Sequence, residues 1–223
     1  MHPNWYTKYM AYRYAQLSPL LSGWVTILLS GVIGMALAVG LSFLRPLEYS
    51  STTQILITQE LGAVDAYTAS RSAERIADGL ASAVYYSTFF DKVMASGYNI
   101  DPTYFSDDAI KLRDQWEKTV TAAVSRSSGS LAITAYHPDV EQAEQVAQAV
   151  AYVLTTEGWT YTSGGNITVQ VVDEPLNSRY PVRPNLVING FSGLALGLLG
   201  GAGYILIAAE RTRRRHQFMH DED

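Results

Sequence analysis

Residues 184–209 read PNLVINGFSGLALGLLGGAGYILIAA, without one Asp, Glu, Lys or Arg. A helix needs roughly 20 consecutive apolar residues to cross a bilayer, so this stretch is long enough to span one. Residues 14–44, YAQLSPLLSGWVTILLSGVIGMALAVGLSFL, are uncharged in the same way. From Arg45 to Arg183 the composition is that of a water-soluble protein. The chain therefore reads as membrane helix, soluble domain, membrane helix. Residues 1–19 are expected to form a cytoplasmic N-terminal segment, 20–44 the first span and 45–174 an extracytoplasmic α/β domain. Residues 175–185 read as a proline-rich strap, 186–209 as the second span and 210–223 as a basic cytoplasmic tail.

The apolar core from Leu20 to Leu44 exceeds the roughly 7–15 residues of a signal-peptide h-region, and only Lys8 and Arg13 precede it. It reads as an uncleaved helix. Basic residues gather on the cytoplasmic side of membrane helices. Arg211, Arg213, Arg214 and Arg215 follow the second span, and Lys8 and Arg13 precede the first. Both termini are thus expected in the cytoplasm, with the chain in the cytoplasmic (inner) membrane. Tyr12, Tyr14 and Trp24 suit an interfacial aromatic belt or an ordinary packing role.

Between Arg45 and Arg183 there are 17 acidic and 10 basic side chains, a balance of −7. Nucleic acid calls for a basic face, so it is not an expected partner. The chain has no cysteine, which excludes disulfides, zinc–thiolate sites and thiol catalysis.

Within the soluble stretch, Tyr49–Thr58 alternates and is β-branched, so it predicts a strand. Ile76, Leu80, Val84 and Ser87 follow helical spacing inside a helical region from Ala66 to Ser96, with Gly97 as its stop. Asp101-Pro102 marks a turn. Ser106 is a candidate cap for a short helix reaching about Trp116, with Asp107 and Asp108 in its first turn. Lys118–Arg126 and Ser130–Tyr136 predict a hairpin across Ser127-Ser128-Gly129. Pro138 suits the first position of a helix whose stripe is Val140, Ala143, Val146, Ala147, Val150, Val153 and Leu154. Ile167–Val172 predicts a last strand. The order β-α-β-β-α-β implies an α+β fold, a split βαβ or ferredoxin-like sandwich with its helices on one sheet face. Pro175, Pro181 and Pro184 keep the following segment extended, either as a stiff strap or as a plain linker with a helix-starting Pro184.

This assembled order resembles the Wzz family of polysaccharide chain-length determinants, or co-polymerases. Leu44-Arg45-Pro46-Leu47-Glu48-Tyr49 resembles the family's P-x-Y entry to its first strand. Tyr136-His137-Pro138-Asp139, followed by Ala143, Val146 and Ala147, resembles its D-P-x-x-A-x-x-I-A-N segment. Here histidine and proline precede the aspartate, and Gln148 replaces the usual asparagine. Pro175, Pro181 and Pro184 before a glycine-rich span resemble its proline segment. The chain lacks the long helical insertion of the large O-antigen regulators, and no phosphate-loop motif marks a kinase domain. The resemblance implies a short co-polymerase without a cofactor. It implies a non-enzymatic regulator of O-antigen, capsule or exopolysaccharide chain length and export, acting as an oligomeric scaffold. The implied partners are further copies of the chain, membrane lipid, a polysaccharide polymerase and the growing glycan. Two alternatives remain: an adaptor that activates a separate cytoplasmic tyrosine kinase, and a two-span sensor.

No residue is expected to make or break a bond. His137 is the one histidine of the soluble stretch, and with Asp139 it flanks a proline, which suits capping better than a catalytic dyad. Asp107 with Asp108, and Asp173 with Glu174, are carboxylate pairs of the type used in glycosidic chemistry, but sequence neighbours need not converge on one sugar. Gly193, Gly197 and Gly201 are spaced four apart, a face on which helix backbones can approach closely. Arg211, Arg213, Arg214 and Arg215 are open to anionic lipid or a kinase partner, or serve orientation alone. Asn166-Ile167-Thr168 matches a glycosylation sequon by chance.

Overall fold

The computed structural model describes residues 19–59, 66–125, 129–162 and 167–220. The chain divides into two compact units, one holding the terminal helices and the other Pro46–Arg183.

In the first unit, α1 (Trp24–Ser42) packs on α6 (Leu186–His220). Trp24–Ser42 and Leu186–Thr212 are long and apolar enough to cross a membrane, and their large side chains are mostly exposed. Asn185 starts α6, its Oδ1 accepting from Ile188 N–H at 3.1 Å. The expected starter, Pro184, lies one residue earlier, outside the helix.

The second unit is an α+β sandwich. Its antiparallel sheet has the order β2-β3-β1-β4, formed by β1 (Tyr49–Gln59), β2 (Val120–Ser125), β3 (Ser130–His137) and β4 (Ile167–Asn177). The two long crossover helices are α2 (Ala66–Ala83) and α5 (Val140–Glu157). This is the ferredoxin-like arrangement that the order β-α-β-β-α-β implies. Alternation explains the burial. Ser51, Thr53, Ile55 and Ile57 of β1, with Leu131, Ile133 and Ala135 of β3, face the helices and are buried. Thr52 and Thr134 pair at 3.0 Å on the other face. On α5, Ala143, Val146, Ala147, Val150, Val153 and Leu154 close the core.

Five expectations are corrected by local chemistry. The helical region from Ala66 to Ser96 is two helices, α2 and α3 (Ser87–Met94), because Tyr86 is extended (φ −77°, ψ 143°). Phe89 and Val93 then turn into the core. The short helix is α4 (Ala109–Thr119), capped by Asp108 and not Ser106. Asp108 Oδ1 accepts from Ile110 and Lys111 N–H at 3.0 Å each, whereas Ser106 Oγ accepts from Asp108 N–H. Lys118 belongs to α4, so β2 starts only at Val120. Pro138 precedes the helix cap, which is Asp139. The last strand runs past Val172 through Pro175 to Asn177. On an edge strand the missing proline N–H costs no ladder bond. Gly97 (φ 86°) and Gly129 (φ 62°) take the left-handed region that glycine tolerates. Of the hairpin turn, Ser127 and Ser128 lie outside the described residues, as do Asn166 of the sequon, Lys8, Arg13, Tyr12 and Tyr14.

Candidate functional site

Three sequence segments singled out separately converge on one corner of the sheet. β1 pairs with β3 so that Tyr49 faces His137 and Ser50 faces Tyr136. Glu48, just ahead of β1, forms an isolated bridge with Arg183. Glu48 N–H donates to Arg183 O at 2.9 Å, and Val182 N–H donates to Glu48 O at 2.8 Å. Ser178 adds a second tie: its N–H donates to Ser50 O at 2.8 Å, and Ser50 N–H donates to its Oγ at 3.0 Å. The proline-rich stretch up to Arg183 is thus a hydrogen-bonded continuation of β4 along β1.

The Arg183 side chain locks this corner. Its guanidinium carbon lies 3.3 Å from the Tyr136 ring centroid, and Nη1 donates to Lys118 O at 2.7 Å. Glu48 Oε2 is 3.7 Å away, a weaker, half-solvated ion pair. One cation therefore ties four places: the entry to β1, β3, the end of α4 and its own segment. Sequence reasoning passed over Arg183 and Glu48. The available signals were their positions, one between Pro181 and Pro184 and the other inside the Pro46–Tyr49 entry.

His137 sits at the same corner, its ring 4.3 Å from the Tyr104 ring centroid. Nδ1 accepts from Asp139 N–H at 3.0 Å, which requires an unprotonated Nδ1. Burial pushes the imidazole below its ordinary pKa, opposed by the bond that a protonated Nδ1 donates to Asp139 O, 3.3 Å away, and by the carboxylates of Asp139, Asp101 and Glu48. The Asp139 carboxylate caps α5, accepting from Glu141 N–H at 2.9 Å. His137 and Asp139 are therefore linked through the backbone. Asp108 is likewise engaged as the α4 cap. Asp173 and Glu174 are exposed on edge strand β4.

The three spaced glycines lie where α6 meets α1. A Cβ at Gly34 would stand 2.5 Å from Gly193 O and 3.0 Å from Gly197 Cα. A Cβ at Gly197 would fall on Ser30 O, and one at Gly201 on Ser30 Oγ. The pairs Ser30–Gly201, Gly34–Gly197 and Ser42–Asn189 show that the helices run antiparallel. Backbone approach of this kind gains dispersion contacts and exposes no polar group. The face that Gly193, Gly197 and Gly201 form is thus filled by α1 of the same chain. Near one end, Asn189 Nδ2 donates to the buried Ser42 Oγ at 2.8 Å. Arg211 is exposed on α6, and Arg213, Arg214 and Arg215 continue the same helix.

Residues 17–101 match the family model Wzz, chain length determinant protein. The match covers α1, β1, α2 and α3. The Tyr136–Asp139 segment and the three prolines lie beyond it. No curated protein matches the chain.

Proposed function

From this match we propose that the protein is a non-enzymatic membrane regulator of surface-polysaccharide chain length and export, working as an oligomeric scaffold. The Wzz match carries the reading, and a polysaccharide chain-length role in general follows from it. Two apolar helices at the ends of the chain fit an inner-membrane protein. The charge bias of Arg211, Arg213, Arg214 and Arg215 supports cytoplasmic termini and an extracytoplasmic α+β domain. A scaffold of this type acts through shape and contacts: further copies of the chain would organise a polymerase and the growing glycan. Deleting the gene and sizing the surface glycan on a gel tests the reading. A changed length distribution, restored by the intact gene, is expected, and an unchanged one overturns it. Reporter fusions at Asn99 and Asp223 test the topology and should report opposite sides.

A second reading is favoured by the continuity of α6, which runs beyond its apolar part through the arginines to His220. A helix that carries cationic residues out of the span suits an adaptor contacting a cytoplasmic tyrosine kinase.

A further inference from the structure

A groove of about 680 Å³ opens at the β2 edge of the sheet, between the end of α2 and α4. It is lined by Asp78, Ser82, Tyr85, Tyr86, Arg113 and Ala122, among others. Its chemistry is mixed. Tyr86 is 52% exposed and presents an aromatic ring. Asp78 brings an exposed carboxylate and Ser82 a hydroxyl from one wall. Arg113, its Nε 3.3 Å from Glu117 Oε1, brings a largely exposed guanidinium from α4.

Part of the floor's backbone is already engaged. A peptide strand would need the outward backbone groups of β2. Val120 N–H already donates to Trp116 O, and Ala122 N–H donates to Tyr85 Oη at 3.1 Å. The groove's charged and aromatic groups all belong to side chains. The Tyr85 hydroxyl accepts from the backbone and still has its own proton to donate.

We propose that this groove binds a saccharide segment, an inference that rests on the polysaccharide role above and names where the polymer is held. A sugar ring has an apolar C–H face and a rim of hydroxyls. The C–H face suits the exposed Tyr86 ring, an amphipathic surface of the kind that packs well while one edge stays wet. Adjacent hydroxyls suit a carboxylate that accepts and a guanidinium that donates, as Asp78 and Arg113 do, with hydrogen bonds strengthened by charge. The groove is open, so a segment inside a long chain can enter it without a free end.

The test uses the full-length protein in detergent micelles. The probe is the mixture of oligosaccharides released by mild acid from the surface polysaccharide of the native host. Titration calorimetry should show binding to the wild type. Tyr86→Ala should weaken it about fivefold or more, the scale of one aromatic contact. Tyr86→Phe should bind like the wild type, because the ring is kept. Asp78→Asn and Arg113→Gln should each weaken binding, whereas Tyr67→Ala, exposed on α2 and outside the groove, should not. All these side chains are exposed, and thermal unfolding at the wild-type temperature verifies that the fold is intact. No binding by the wild type, or equal binding by Tyr86→Ala, overturns the proposal. In cells the two readings separate. If deletion changes glycan length but the groove variants behave as wild type, the groove is wrong and the polysaccharide role stands. If deletion changes nothing, the role itself fails.

Discussion

The two units solve the packing problem in opposite ways. In the domain from Pro46 to Arg183, large side chains fill the interior: Trp116 meets Phe90 and Phe105 edge-on, with centroids 5.1 and 6.0 Å away. Between α1 and α6 the side chains are removed, and backbone lies on backbone at Gly34, Gly193 and Gly197. The difference follows from the surroundings. Water drives apolar side chains together, so the soluble core gains by burying big ones. Lipid offers no such drive, and two helices then gain by closeness. Enlarging a residue should harm the helix pair, and shrinking one should harm the domain.

The largest expected effect tests the domain half. Trp116 is 2% exposed, and its Nε1 donates to Val84 O at 2.8 Å. Trp116→Ala should cost about 3–5 kcal/mol, from the cavity and the orphaned carbonyl. Near-ultraviolet circular dichroism during heating should show the midpoint falling by roughly 10 °C or more. A midpoint within a few degrees of the wild type would mean the core does not depend on this ring.

The next effect tests the helix half. Gly197→Leu drives a side chain into the Ser30 backbone and should weaken the α1–α6 pair by roughly 1–2 kcal/mol. The chain has no native cysteine, so Ser42→Cys with Asn189→Cys gives a clean proximity reporter. Oxidative cross-linking within one chain should fall several-fold when Gly197→Leu is added. Gly200→Leu, whose Cβ meets nothing within 4 Å, should leave it unchanged. Equal cross-linking in both variants would remove the argument for backbone contact.

A smaller effect concerns the corner. Arg183→Ala loses the Tyr136 contact and the bond to Lys118 O, together about 1–2 kcal/mol. Glu48→Gln, at 3.7 Å and partly solvated, should cost less than about 1 kcal/mol. Urea midpoints give the order directly. A larger loss from Glu48→Gln would make the ion pair, not the stacked guanidinium, the centre of the clamp.

What the sequence made legible follows the same physics. Charge-free runs of bilayer length, period-2 strands and the stripe of α5 are long patterns that survive local accidents, so the two helices and the order β-α-β-β-α-β were readable. Element boundaries were not, because single side chains set them. Asp108 outcompeted Ser106 as a cap by accepting two N–H groups, and one extended residue, Tyr86, split a continuous helical pattern. The Arg183 corner was illegible for another reason. Glu48, Lys118, Tyr136 and Arg183 are scattered along the chain, and no period links them. The partner of the glycine face was also hidden, since spacing marks a close approach without naming which helix makes it.

The smallest effect is a pH dependence at that corner. His137 is held neutral by burial, and its Nδ1 takes the Asp139 N–H at the start of α5. Its pKa is lower in the folded chain than the ordinary value of 6.5. The unfolded chain therefore binds this proton at higher pH than the folded one, and acid favours unfolding. The stability is fully present above the ordinary histidine range. It is lost as the pH falls through that range, and the loss levels off below the folded value. His137→Asn offers a carbonyl oxygen that can accept from Asp139 N–H and cannot titrate. Its unfolding midpoint should decline less than that of the wild type between pH 7.5 and pH 5. Asp101, Asp139 and Glu48 face the ring in both proteins, so the comparison isolates the imidazole. Parallel curves for the two proteins would mean that folding does not lower the His137 pKa.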